Sequence, residues 1–168
     1  MSQFDAFNAQ MDALNATLEE RAALLVRGLS VTAWEMLVNG TPVDTPAYTD
    51  TPGVARGNWN FGVGSDDSLF DESRANPHGP VPPIPDVPVI GRDLYLTNHT
   101  PYAEVLEYGG YPVPVQKGSW NRLTKSYVVK SVGGYSAQAP AGWVRLAAAQ
   151  LEPAADAIVT ELERQRAL

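Results

Sequence analysis

The chain has 168 residues, enough for one domain with a buried core and too few for two of comfortable size. Its 12 basic residues stand against 19 acidic ones, a net charge of -7, which argues against a protein held to nucleic acid by clustered Lys and Arg. There is no cysteine, and the only histidines are His78 and His99, so disulfides and thiolate chemistry are excluded and a multi-His metal centre has little material.

In chain order, the first segment is acidic and amphipathic, which is not the pattern of a signal peptide. No apolar run reaches the ~20 residues of a membrane span. Phe4, Phe7, Met11, Leu14 and Leu18, then Leu25, Leu29 and Met36, recur at steps of three and four and predict a helix over 1–39. Ser2 is its expected cap, and Gly28 is where a bend costs least. The heptad-like spacing suits a coiled coil, but packing on the protein's own sheet explains it as well and is the expectation here.

Segments 40–56 and 64–91 read as extended loops or arms, rich in Pro and acid. Between them, Trp59, Phe61 and Val63 alternate with Asn58, Asn60 and Gly62, predicting a strand over 57–63 with one buried face. Asp66, Asp67, Asp71 and Glu72 form the densest acid cluster, without the spacing of a calcium loop, and read as solvated chain. The P-x-x-P spacings among Pro80, Pro82, Pro83, Pro85 and Pro88 imply stiff, extended chain that fits an aromatic groove or lies on a neighbouring subunit.

A second strand is expected over 93–98, with Leu94 and Leu96 inward. His99 reads as a turn residue, followed by Thr100 as cap of a short helix starting at Pro101 and closed by Gly109. Val113 and Val115, interleaved with prolines, allow only an edge strand. Lys117, Arg122, Lys125 and Lys130, interleaved with Trp120 and Tyr127, make the one locally basic stretch. It could track a nucleic-acid strand or meet an acidic neighbour. A third strand is expected over 127–132. Pro140 opens a helix over 140–168 whose narrow apolar stripe includes Val144, Ala147, Leu151, Ala155, Ile158 and Leu162, with Pro153 expected to kink or interrupt it. The expected fold is therefore α+β, a single domain over 1–168. A small antiparallel sheet is packed by a long N-terminal and a C-terminal helix, with projecting loops.

No nucleophile elbow, zinc-protease motif, phosphate loop or fixed carboxylate pair occurs, so no catalytic residue, cofactor or metal is expected. Four stretches resemble a known family. They are Thr41-Pro42-Val43-Asp44-Thr45; Ala55-Arg56-Gly57-Asn58-Trp59; Leu96-Thr97-Asn98 with Pro101-Tyr102-Ala103-Glu104-Val105-Leu106-Glu107-Tyr108-Gly109-Gly110-Tyr111-Pro112; and Gln138-Ala139-Pro140-Ala141-Gly142-Trp143-Val144-Arg145. In this order they are similar to the tail-completion or neck proteins, the minor tail components of long-tailed bacteriophages. Residues 46–54 and the Pro-rich 80–88 stretch depart from that pattern.

The resemblance implies a structural virion protein made in the host cytoplasm. It would be a closed homo-oligomeric ring, a hexamer, joining the tail to the DNA-filled head. Head-connector or stopper proteins and tail-terminator or tail-tube proteins would be its neighbours, DNA would be passing cargo, and no membrane would be involved. Within that reading, Pro80, Pro82, Pro83, Ile84, Pro85, Lys117, Trp120, Arg122 and Lys125 are the expected subunit or partner contacts. Asp66, Asp67, Asp71 and Glu72, or acidic residues of the first helix, are the expected lumen lining. A tail-terminator ring is the nearest alternative. A non-viral adaptor binding an SH3-like partner through the Pro-rich loop is the alternative of a different class.

Overall fold

A computed structural model describes residues 3–83, 88–112, 116–139 and 141–166. Ser2, Ile84, Pro85, Val113, Val115 and Pro140, named above as cap, arm contacts, edge strand and helix start, lie outside them. The first helix, α1 (Gln3–Gly40), is unbroken for 38 residues, so Gly28 does not end it. Gly28 instead admits the last helix, α4 (Val144–Arg166): a Cβ there would sit 3.5 Å from Ile158. Farther along, Leu29, Ser30 and Ala33 share a groove with Leu151 and Ala155, so α4 runs back along α1. Pro153 does not interrupt it, because α4 is helical on both sides of the ring.

The core lies where the second half of α1 meets the start of α4. Trp34, Leu37, Val38, Trp59, Leu106, Trp143 and Ala147 are all buried there. Burying each of the larger side chains stabilises the fold by roughly 1.5–3 kcal/mol. The first half of α1 takes no part. Phe4, Phe7, Met11, Leu14 and Leu18 are 40–71% exposed. Beyond about residue 23 the stripe is covered chiefly by α4, with Phe61 of the sheet reached only near Trp34, and the earlier turns are exposed, so the expectation that it packs on the protein's own sheet is corrected.

Where one small sheet was expected, the described residues hold three antiparallel pairs. A short helix, α2 (Val54–Gly57), ends the 40–56 segment, and β1 (Trp59–Val63) follows it. β1 pairs with β2 (Leu94–Asn98) in a register that sets Trp59 opposite Asn98 and Phe61 opposite Leu96. Asn60 is buried as well as Trp59, so both faces of β1 are covered there. α3 (Ala103–Tyr108) follows. Thr100 does not cap it with its hydroxyl, which donates to Asn98 at 2.6 Å; its carbonyl accepts from Ala103 instead. Gly109 does close α3, with φ at +81°.

The expected strand over 127–132 is two strands, interrupted at Val129 and Lys130. β3 (Ser119–Asn121) pairs with β4 (Ser126–Val128), and β5 (Ser131–Val132) pairs with β6 (Tyr135–Ser136). Gly133 and Gly134, at φ +60° and +87°, form the two-residue turn between the last two strands.

Candidate interaction surfaces

The stretches quoted above meet in one hydrogen-bonded frame. Arg56 donates to the carbonyls of Thr41 at 2.7 Å, Asn39 at 3.1 Å and Pro77 at 2.8 Å, tying the end of α1 to the loop after β1. Trp59 Nε1 donates to the fully buried Thr41 hydroxyl at 2.7 Å, and Asn98 Nδ2 donates to Ala55 O at 2.7 Å. Glu107, 5% exposed, reaches across from α3 to the start of α4. Its carboxylate accepts from the backbone N–H groups of Trp143, Val144 and Arg145 at 2.7, 2.8 and 3.1 Å, and from Arg145 Nε at 2.9 Å. A carboxylate at a helix N-terminus satisfies orphan donors and meets the positive end of the helix dipole. Burial pushes the Glu107 carboxyl up, but these donors outweigh it and hold it below its ordinary value. Gly142 leaves room for it, since a Cβ there would lie 2.6 Å from Glu107 Oε2.

The basic stretch is half neutralised from within the chain. Arg122 pairs with Asp50, and Lys130 Nζ lies 2.6 and 2.5 Å from the two carboxylate oxygens of Asp44 and 4.1 Å above the Tyr48 ring. Arg122 N donates to Ala47 O at 2.9 Å, and Asn121 Nδ2 donates to the Tyr48 hydroxyl at 3.3 Å. The acidic neighbour is therefore residues 44–50 of the same chain. That part of the 40–56 segment lies on the β3–β4 hairpin and does not project. What the hairpin leaves outward is Trp120 against Tyr127, with centroids 5.1 Å apart, Lys117 at 4.5 Å from the Tyr127 ring, Lys125 at the turn, and Leu123 at 81% exposure.

The acidic loop is likewise pinned. Asn58 exchanges side-chain hydrogen bonds with the backbone of Asp71 at 2.9 Å, and Asn60 Nδ2 donates to Leu69 O at 2.8 Å. Arg74 donates to Asn60 Oδ1 and Trp59 O, and Thr97 Oγ1 donates to Asp67 O. The polar side chains that alternate along β1 thus satisfy the backbone of a loop folded over it, which is why that face is buried too. Asp67 and Asp71 accept from the N–H groups two residues on, and Asp66 lies 3.8 Å from His99. His99 therefore faces an acid. All four acids, Asp66, Asp67, Asp71 and Glu72, keep exposed outer surfaces on an ordered loop.

Trp34 Nε1 donates to Pro80 O at 3.1 Å, anchoring the near end of the Pro-rich arm to the core, while Val81 is 85% exposed. Between the 40–56 segment, α3 and the hairpins lies an open cleft of about 790 Å³ whose lining includes Asp44, Glu72, Tyr102, Tyr111 and Lys130. Burial raises both tyrosine hydroxyls above their ordinary value of 10.0. Among the described residues no three His, Asp or Glu side chains group as a metal site requires, and no helix is long and apolar enough to cross a membrane.

The bare stripe on α1 and the Glu107 bridge are two of the features that sequence reasoning placed wrongly or missed. The stripe's 3.5-residue step was the available signal for the first. For Glu107 nothing local pointed 36 residues onward to Trp143. Comparison with models of protein families, with curated proteins and with solved structures finds no match to this chain.

Proposed function

We propose that the chain is a structural protein of the phage head–tail interface, a ring-forming neck or tail-completion subunit that joins the tail to the filled head around the DNA channel. The observation that carries this reading is that the four resembling stretches, far apart in sequence, meet as one frame. Thr41 binds Trp59 and Arg56, Ala55 binds Asn98, and Glu107 binds the start of α4. Residues that share a motif because they share a fold are expected to meet in this way.

A ring subunit needs heterologous surfaces that close on themselves. The outward side of the hairpin (Lys117, Trp120, Lys125) and the Pro-rich arm, with Pro83 exposed and Pro80 and Pro82 half-buried, supply preorganised candidates at little entropic cost. Arg122 is already paired with Asp50 and contributes less to such a contact. The carboxylates at Asp66, Asp67, Asp71 and Glu72, held on an ordered loop, suit a lumen that repels DNA. Neighbours above and below would be connector or stopper and tail-terminator or tail-tube proteins. The site of action would be the virion.

The tail-terminator alternative uses the same surfaces at the next position down the tail. An SH3-like partner would require the Pro-rich segment to be free, and the Trp34 bond to Pro80 O ties one end of it down. Deleting 80–88 separates the readings. Failure to form tail-joined particles supports the neck role, and normal particles with loss of one cellular partner overturns it in favour of the adaptor.

A further inference from the structure

From Phe4 to Ala22 every residue of α1 is exposed. The five large apolar side chains among them, Phe4, Phe7, Met11, Leu14 and Leu18, advance by three, four, three and four residues. That is the 3.5-residue repeat of a coiled-coil seam, the narrow stripe one helix presents to another. The positions that flank this seam, Asn8, Gln10, Asn15 and Thr17, are all uncharged. The acids of the segment, Asp5, Asp12, Glu19 and Glu20, fall outside both the seam and its flanks. In a chain of net charge -7, this distribution lets two identical helices meet without like charges facing each other. A lipid surface would instead call for basic residues beside the apolar face, and this stretch has four acids before its single Arg21.

We propose that the first half of α1 is a self-association surface, and that its occupant is the same stretch of α1 from a second copy of this chain. The seam is continuous with one already filled: α4 covers α1 from Gly28 toward Ala33, and a second copy extends the same packing toward Phe4. Helical turns with no tertiary contact are marginal in water, and pairing supplies what these lack. Five such side chains from each of two copies bring together roughly 1,000 Å² of apolar surface, at the low edge of specific interfaces. Free copies therefore associate weakly, and an assembly that holds them side by side, at effective concentrations of about millimolar, drives the contact to completion. This deepens the ring reading by naming one contact between subunits, yet it is measurable on the free protein.

The chain has no cysteine, so a single introduced thiol reports on one position. Met11 is the midpoint of the stripe, so a parallel pair brings Met11 against Met11 and an antiparallel pair brings the two within about one helical turn. Under mild oxidation at about 100 μM, Met11→Cys is expected to form disulfide-linked dimers at least ten times faster than Ala9→Cys on the opposite side of the helix. Adding Phe7→Glu and Leu14→Glu to Met11→Cys should remove that advantage while the buried Trp34, Trp59 and Trp143 keep their native fluorescence, the core lying outside the seam. Equal rates for the two thiols, or vesicle binding by the wild-type chain without dimers, overturns the proposal. If Met11→Cys links as expected but no ring is found in particles, the neck reading fails and this contact stands. If rings persist with both glutamates present, the contact fails and the neck reading stands.

Discussion

Glu107 shows how much one side chain can organise. It is nearly buried, yet three backbone donors and Arg145 keep it ionised, and through it α3 sets where α4 begins. Its ordinary value is 4.5, and in the folded chain it lies lower. A carboxyl depressed in this way stabilises the fold fully above the unfolded value, and that contribution is lost as pH falls through the folded value. Replacing it by Ala, which orphans the helix donors, is expected to cost about 3 kcal/mol at pH 7. In urea melts the gap between wild type and Glu107→Ala should narrow as pH drops below about 4. An unchanged gap at pH 3 would contradict the assignment. A second residue-scale case is Gly28, where an added Cβ meets Ile158 at an ordinary 3.5 Å in mid-helix. Gly28→Ala should therefore raise stability by about 0.5–1 kcal/mol, and a loss would mean that α4 packs closer than it does here.

Among the elements, legibility followed how local the determinants are. The extent of α1, the position of β1, and the stop of α3 at Gly109 could be read directly, because period, alternation and a positive φ are properties of adjacent residues. The strand expected over 127–132 could not be divided correctly, since its two pieces pair with different partners, Ser119–Asn121 and Tyr135–Ser136, on either side of it in the chain. The covered polar face of β1 escaped for a similar reason: Asn58 and Asn60 read as solvent-facing until the loop they hold is seen. The stripe on α1 was legible as a buried-type face, but periodicity does not say which chain buries it. The Asp44–Lys130 link gives this scale its prediction. Asp44→Asn should speed tryptic cleavage after Lys130 in the native protein and leave cleavage after the exposed Lys125 unchanged; equal acceleration at both would mean the hairpin is not held from that side.

For the whole molecule, charge changes meaning once it is placed. The excess of acid first argued only against a DNA binder. The structure distributes it into an ordered acidic loop, a 40–56 segment that consumes Arg122 and Lys130, and an outer face of α1 that leaves the seam neutral. A lumen lined by such a loop predicts no DNA affinity whose strength falls steeply with salt, because no phosphates are neutralised. Filter binding across a salt series checks this, and a steep slope would move the loop out of the lumen.

The assignment to the head–tail junction is tested most directly by electron microscopy of purified particles carrying a tagged copy of this chain. The account predicts tag density in a closed ring at the junction, surrounding the channel, and headless tails or tailless heads when the chain is absent. Particles that contain no tag, or that join normally without the chain, would contradict it.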